Sequence, residues 1–593
     1  MVETLSRVVL HILKEYAAKP DLLQHREDGR YVSISTEKAG SIIRALALGL
    51  GGLGCGPGRK LAILSENRPE WILTDLANLC LGGITVPIYP TIVPPQIKYI
   101  LEDSESSVIV CSTPALREKI EAIRAELPSV THCLTMESEA PAGFLTLTDV
   151  MRQGQRIGRE RPELFETRAL AVRPDDLASI IYTSGTTGIP KGVMLTHGNF
   201  TSNIDALDQV TDFNHTDTML SFLPLSHVLE RMTTFAFLYK GASMAYAESA
   251  ERVADNLLEV RPTIMISVPR LFEKIYAKVM DNVLAGSALK KKIFFWAVRT
   301  GLLHARRTVA GKKISSGLAF RRRLAHKLVF HKILEKTGGR IKFMVSGGAP
   351  LSRNIAEFFY AIGVIILEGY GLTETAPVVA CNTFDRIRFG TVGPIVPGVQ
   401  VRIAEDGEIL VKGPNVMKGY YKKPRETAEV IVEGWFHTGD IGFLDAEGFL
   451  TITDRKKDLI VTAGGKNVAP QPIENMLKRI PVVANAVVVG AKRKFISAII
   501  VPEKDKLEEL ARQSGLAFAS YAELLAAPAI KKIMLETIDK ATPDLAPYEK
   551  IKKLILLDRD FEIDQEEMTP TLKVKRNKVE EKYKDLIDAL YRD

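Results

Sequence analysis

The densest group of chemistry-bearing residues is the eleven-residue run Tyr182–Gly192, YTSGTTGIPKG, which gathers Thr183, Ser184, Thr186 and Thr187 with Gly185, Gly188, Gly192 and Lys191. Glycine lets a backbone turn and approach an anion where a Cβ would clash. The hydroxyls add donors and the lysine a mobile positive charge. Together they are an inventory for gripping a polyphosphate. The run is not the common G-x-x-x-x-G-K-[ST] phosphate loop, because Lys191 is followed by Gly192 and Pro190 breaks the entry to a helix. The preceding Leu177–Tyr182 is short, apolar and partly β-branched, so a buried strand is expected to deliver the loop.

Four further strings carry candidate chemistry. LPLSHVLER, Leu223–Arg231, places His227 after a proline turn at a strand end. SGGAPL, Ser346–Leu351, follows the strand-like IKFMV, and its glycines allow a flat ring to lie against the backbone near Gly348 and Ala349. In EGYGLTET, Glu368–Thr375, Tyr370 offers an aromatic face for stacking and Thr373 a hydroxyl for phosphate. A carboxylate such as Glu374, if set beside a polyphosphate, would call for a bridging Mg2+ to relieve the repulsion. HTGD ends in Asp440, whose carboxylate can accept from two ribose hydroxyls at once, and Arg455 follows 15 residues later in DRKKD. No G-x-S-x-G elbow occurs, so no serine nucleophile is indicated.

In this order the strings resemble the signature set of adenylate-forming enzymes, and the chain is similar over most of its length to AMP-forming acyl-CoA synthetases. LPLSHVLER, with Glu230–Arg231, and PRLFEKIY, Pro269–Tyr276, resemble the long-chain subgroup. The resemblance implies ATP and AMP binding by Thr183, Ser184, Gly185, Thr186, Thr187, Gly188, Lys191, Gly348, Ala349, Glu368, Gly369, Tyr370, Gly371, Thr373, Asp440 and Arg455. It implies Mg2+ at Glu374 and Thr183, and His227 beside the acyl carboxylate. Lys457 aligns with a hinge, and Gly464 and Gly465 with the CoA arm. The family's C-terminal lysine falls in TPTLKVKRNKV, Thr569–Val579, which lacks the usual Gly-Lys; Lys573 is the best match, with Arg576 as the later basic residue and Lys575 as the competitor. The implied activity is ATP-dependent conversion of a long-chain fatty acid to an acyl-adenylate, then to a CoA thioester. Competing readings are a fatty acyl-AMP ligase that loads a carrier protein and a non-catalytic, membrane-associated nucleotide sensor.

These residues need a scaffold. A chain of 593 residues exceeds one ordinary core. The first 180 or so residues alternate helix-like and strand-like segments, such as SISTEKAGSIIRALALGL, KLAILS and SVIVC, the pattern of an α/β domain. Further strands are expected at 218–222 and 341–345. Past Gly390, hairpins are expected at Asp406-Gly407 and Glu447-Gly448, then a smaller α+β module with the strand pair NAVVVGAKRKFISAIIVP. The expected architecture is therefore α/β. Residues 1–455 form a large domain of largely parallel sheets with a small antiparallel subdomain, hinged to a smaller mobile α+β domain, 456–593.

The N-terminus reads as an amphipathic helix rather than a signal peptide, and no run of 18 apolar residues suggests a spanning helix. Five scattered cysteines without a C-x-x-C pair fit a reducing cytoplasm. The net charge of +8 is uneven: residues 287–342 hold 16 Lys and Arg against one acid, 16 − 1 = +15, leaving 8 − 15 = −7 elsewhere. Such a block asks for an anionic partner. In LKKKIFFWAVRTGLLHARR, Leu289, Ile293 and Trp296 recur at helical spacing, widened by Phe294, Val298, Leu302 and Ala305 and flanked by Lys290–Lys292, Arg299, Arg306 and Arg307. Arg321–Arg323 add a second cluster. The pattern suits the surface of an anionic membrane, with no nucleic acid called for.

Overall fold

A computed structural model describes residues 2–183, 189–543, 545–562, 565–569 and 574–592. Two eight-stranded sheets dominate it. The first runs Val378–Cys381, Ile365–Gly371, Phe343–Ser346, Ile264–Ser267, Thr218–Ser221, Ser243–Tyr246, Leu23–Glu27, Arg30–Ile34. Its central strands are parallel, and the two outermost pairs are antiparallel. The second runs Gly419–Tyr420, Lys191–Thr196, Leu177–Thr183, Ile84–Ile88, Lys60–Leu64, Val108–Cys111, His132–Thr135, Phe144–Thr146. It is parallel except where Lys191–Thr196 pairs with its two neighbours.

The strand cores are near-continuous apolar runs because both faces are covered, as parallel sheets require. Thr36–Gly52 and Pro69–Cys80 are helices with long buried faces. The N-terminal helix Leu5–Glu15 is amphipathic as expected, with Leu5, Val8, Val9 and Ile12 buried. A small antiparallel sheet uses Gln400–Ile403, Glu408–Lys412, Ile431–Val432, Trp435–Leu444 and Leu450–Arg455. The turn glycines Gly407 and Gly448 both have positive φ, the conformation the Asp-Gly and Glu-Gly readings require.

The chain divides into two compact units: Met1–Arg402 with Leu410–Thr438 and Leu444–Thr451, and Ile403–Ile409 with Gly439–Phe443 and Ile452–Asp593. The second unit has its own core around the antiparallel pair Val483–Val489 and Ile496–Pro502, joined in parallel by Ile551–Leu556. The helices Pro470–Leu477 and Pro528–Ala541 contribute Ile473, Leu477, Ile530, Met534 and Ile538 to that core.

The basic segment folds as the helices Ala288–Val309 and Ser316–Ala325 and a following turn into His331–Glu335. Its buried stripe keeps Phe294 and Ala305 of the expected one and adds Ala297 and Gly301, while Trp296 and Val298 are partly buried against the same core. Gly301 permits a close approach, since a Cβ there would lie 2.7 Å from the Ala361 carbonyl oxygen. The first helix thus packs tightly on Arg353–Ile362, and Arg306 pairs with Glu357 of that helix at 2.7 Å. Leu289, placed in the stripe by spacing, is 68% exposed, and Phe295 and Leu303 also face out.

Candidate active site

Three of the candidate strings leave the carboxyl ends of parallel strands in one sheet. Thr218–Ser221 leads to LPLSH, Phe343–Ser346 to SGGAPL, and Ile365–Gly371 to LTET. Ser346 lies opposite Glu368 in the register, so the SGGAPL and LTET loops emerge side by side, with Ile264–Ser267 between them and the strand that leads to LPLSH. Carboxyl ends of such strands are where open α/β sheets bind ligands.

His227 caps the helix Val228–Tyr239, its Nδ1 accepting the Leu229 N–H at 3.2 Å. An accepting Nδ1 puts the ring proton on Nε2, which makes that nitrogen a donor. The proline turn before it is clamped by Asn67, whose side chain donates to the Leu223 carbonyl at 2.5 Å and accepts the Leu225 N–H at 2.8 Å. The next loop closes on the same helix: a Cβ on Gly347 would meet the Leu229 side chain at 2.9 Å. Gly348, φ +79°, and Ala349 are exposed beyond it.

The helix that carries His227 is anchored from within. Arg231 is fully buried and forks onto Asp75, with nitrogen–oxygen distances of 2.8 and 2.6 Å, while a third nitrogen donates to Ser179 Oγ at 2.6 Å. Trp71, Phe200 and Phe235 surround the guanidinium. Ser179 belongs to Leu177–Thr183, so one side chain ties the His227 helix to the strand that delivers the Thr/Gly loop. Burial raises the neighbouring Glu230 carboxyl to about 8.

That strand leads into a hairpin. Thr183 pairs with Lys191, the first residue of the returning strand Lys191–Thr196. Ser184, Gly185, Thr186, Thr187 and Gly188 lie outside the described residues. Tyr99 Oη donates to the Pro190 carbonyl at 3.1 Å, while Tyr182 Oη donates to Asp103 at 2.6 Å.

Within EGYGLTET the roles diverge. Glu368 is buried, and burial pushes its carboxyl up to about 8 although the Gly390 and Leu351 backbones hydrogen-bond it. It ties two loops to the sheet. Gly369, Tyr370, Gly371, Thr373 and Glu374 are half-buried. Gly371 is required by space, since a Cβ would fall 1.8 Å from the Pro377 carbonyl oxygen. Glu374 lies in the short turn Thr373–Thr375, where Tyr420 Oη donates to its Oε1 at 2.9 Å. The face of the same tyrosine ring lies 5.0 Å from Lys191 Nζ. The structure therefore links Lys191, the register partner of Thr183, to Glu374 through Tyr420, a residue no sequence string singled out.

Other residues missed by the strings hold this turn. Buried Asn415 donates to the Thr375 and Val378 carbonyls, and Asn203 accepts the Val378 N–H. Each contact spans tens of residues or more, and a lone asparagine has no spacing signal to give it away.

In the second unit Arg455 Nε donates to Asp440 Oδ1 at 2.9 Å, joining the two residues expected to share a ribose. Glu408 supports the Asp440 turn, accepting the Gly439 N–H and pairing with Lys456, each at 2.9 Å. Lys457 is exposed just past the strand Leu450–Arg455. Gly464 and Gly465 form an exposed tip between Ile460–Val461 and Asn467–Val468, Gly465 with φ +70°. Lys573 lies outside the described residues. The Lys575 N–H donates to the Glu567 carbonyl, and Arg576 is committed to Glu474 at 2.6 Å.

Strand-end loops over an open sheet, the hairpin that begins its return at Lys191, and a tyrosine that touches both Lys191 and Glu374 mark the candidate site of this α/β chain. The AMP-binding enzyme model matches residues 14–421 and the AMP-binding enzyme C-terminal domain model residues 457–593, so the chain belongs to the AMP-binding enzyme family. It is 37% identical over 575 residues to the long-chain-fatty-acid–CoA ligase FadD15 of Mycobacterium bovis, covering 96% of this chain and 94% of that protein. It is 32% identical to long-chain-fatty-acid–CoA ligase 1 of Cavia porcellus, covering 91% and 79%. Among solved structures, ATP-bound MatB from Rhodopseudomonas palustris matches with a TM-score of 0.68 at 26% identity, covering 99% of this chain and 100% of that one.

Proposed function

We propose that this chain is a long-chain fatty acid–CoA ligase, converting a fatty acid, ATP and CoA to acyl-CoA, AMP and pyrophosphate. The likeness to FadD15 over nearly the full length of both chains carries this reading. The fatty acid is first activated as an acyl-adenylate, because a free carboxylate would have to expel oxide. Its carboxylate attacks the α-phosphorus in line; the P–O bond to pyrophosphate breaks, and the CoA thiol later displaces AMP.

In this reading Lys191 and the Thr183–Gly188 loop bind the phosphates, and the Nε2–H of His227 orients the acyl carboxylate or the phosphate. Gly348, Ala349, Glu368, Gly369, Tyr370 and Gly371 shape the adenine site, Thr373 binds phosphate, and Asp440 with Arg455 takes the ribose. Lys573 supplies the positive charge for adenylation, with Lys575 the competing position. Lys457 is the hinge between a 1–455 domain and a mobile 456–593 domain, and Gly464 and Gly465 receive the CoA arm.

The oxygen donors of Glu374 and Thr183 fit a hard cation that keeps most of its ligands from substrate phosphates and water. Mg2+ held there would neutralise charge on the departing pyrophosphate.

The basic segment is assigned to the surface of an anionic membrane. Leu289 and Phe320 are 68% and 67% exposed, and Leu284, Phe295, Leu303, Leu324 and Leu328 are exposed among the lysines and arginines. Among the described residues no helix is long and apolar enough to cross a membrane; the contact proposed is peripheral. A cytoplasmic enzyme docked on the inner membrane face would then meet a substrate that partitions into lipid.

Pyrophosphate release across a panel of carboxylic acids, with and without CoA, tests the assignment. Turnover with long-chain acids and CoA, yielding acyl-CoA, is expected. Turnover that proceeds only with an acyl carrier protein would move the chain to the carrier-loading ligases, and no release with any acid would refute both.

A further inference from the structure

Tyr420 contacts a candidate cation and a candidate metal ligand with one side chain. It is 8% exposed, its Oη donates to Glu374 Oε1 at 2.9 Å, and its ring face lies 5.0 Å from Lys191 Nζ. Four contacts hold it there. Tyr420 pairs with Val193 in the strand that begins at Lys191, and its N–H donates to Thr427 Oγ1 at 2.9 Å. The next residue, Tyr421, donates its N–H to the Gly192 carbonyl at 2.7 Å, and the Met417 N–H donates to the Glu374 carbonyl at 2.8 Å. The short strand Gly419–Tyr420 thus stitches the base of the Thr/Gly hairpin to the Glu374 turn, 46 residues upstream of it.

The geometry points to Tyr420 as a positioning residue for the metal–phosphate site, a role that rests on the reading of Glu374 given above. A phenol donating to Oε1 restrains the carboxylate and limits the orientations its oxygens can take. The aromatic face attracts the ammonium of Lys191 without using its three N–H donors, which stay available for phosphate. A donor of this kind acts as an outer partner of a ligating carboxylate, and loss of such a partner typically weakens metal affinity ~10- to 100-fold.

The test uses the full-length protein with a non-hydrolysable ATP analogue, reading bound Mn2+ by electron paramagnetic resonance and analogue affinity by calorimetry without metal. Tyr420→Phe keeps the ring under Lys191 and removes only the hydroxyl. It should weaken Mn2+ binding ~10-fold while metal-free analogue affinity stays within about twofold. Tyr420→Leu should weaken both, because Lys191 loses its support. In a Glu374→Gln background, Tyr420→Phe should cost little more, since the hydroxyl acts through the carboxylate. Unchanged Mn2+ affinity in Tyr420→Phe would overturn the proposal, as would equal losses in both backgrounds, the mark of a structural role. If Glu374→Gln itself binds Mn2+ as wild type does, the metal-ligand reading fails first and Tyr420 falls with it. Thermal unfolding of each variant separates these outcomes from misfolding.

Discussion

At the scale of single residues, environment decides what a carboxylate does. Glu374 is half-buried with a phenol donor, a setting that suits a charged ligand, whereas Glu230 and Glu368 are buried and raised to about 8 by desolvation. Glu374→Gln should therefore lower the rate of acyl-adenylate formation ~10²- to 10³-fold, measured as single-turnover pyrophosphate release; a rate within threefold of wild type would remove Glu374 from the site. Glu230 has a different consequence. Below its ordinary value of 4.5 it is protonated both folded and unfolded. Between there and about 8 the unfolded chain releases the proton while the folded state keeps it, so stability falls as pH rises through that window. Urea unfolding should show Glu230→Gln gaining on wild type by ~1.4 kcal/mol per pH unit from pH 5 to 8. A pH-independent difference would show that the carboxyl titrates alike in both states. His197, lowered to about 3 by burial, works on the acid side: its contribution is complete above 6.5 and is lost as pH falls toward 3.

At the scale of elements, the Arg231–Asp75 pair fixes where His227 stands. Glu230–Arg231 reads in the sequence as a subgroup mark; in the fold, Arg231 is a fully buried bolt between two helices and the strand bearing Ser179. Breaking such a pair from one side leaves an uncompensated buried charge. Arg231→Met should therefore destabilise the protein by ~3–5 kcal/mol, and the double substitution with Asp75→Leu should recover much of that loss. Denaturant midpoints of the three variants decide it. If the double substitution is no more stable than the single one, packing rather than charge is what Arg231 contributes.

At the scale of the whole molecule, the proposed chemistry asks the C-terminal segment for two different services. Lys573→Ala should abolish acyl-adenylate formation yet still convert supplied acyl-adenylate and CoA to thioester. Lys457→Pro, which stiffens the proposed hinge, should form adenylate and turn over poorly. The first phenotype appearing in Lys575→Ala instead would move the lysine by two positions. The basic face makes a separate prediction. Each basic residue near an anionic surface adds ~1 kcal/mol within a Debye length. Flotation with anionic liposomes should therefore weaken with salt and fall when Lys290–Lys292 and Arg321–Arg323 become Gln. Equal binding to neutral vesicles, or none at low salt, would end the electrostatic dock.

The sequence by itself determined the class of chemistry and the α/β architecture, because both are written locally. A loop that grips phosphate must carry its glycines, hydroxyls and lysine in one contiguous stretch. Parallel strands buried on both faces must be short apolar runs, and Asp406-Gly407 and Glu447-Gly448 must turn. What joins those pieces was not legible. Tyr420, Asn67, Asn415, Asp75 and Glu408 act across tens to hundreds of residues, and a single polar side chain has no period or spacing to mark its partner. The basic helix shows the same limit: its spacing placed Phe294 and Ala305 on the inner face, but that Gly301 would lie against the Ala361 backbone, with no room for a Cβ, came only from the packing. Tertiary packing chooses between stripes that hydrophobic spacing alone leaves equivalent, because close approach depends on the shape of the partner surface.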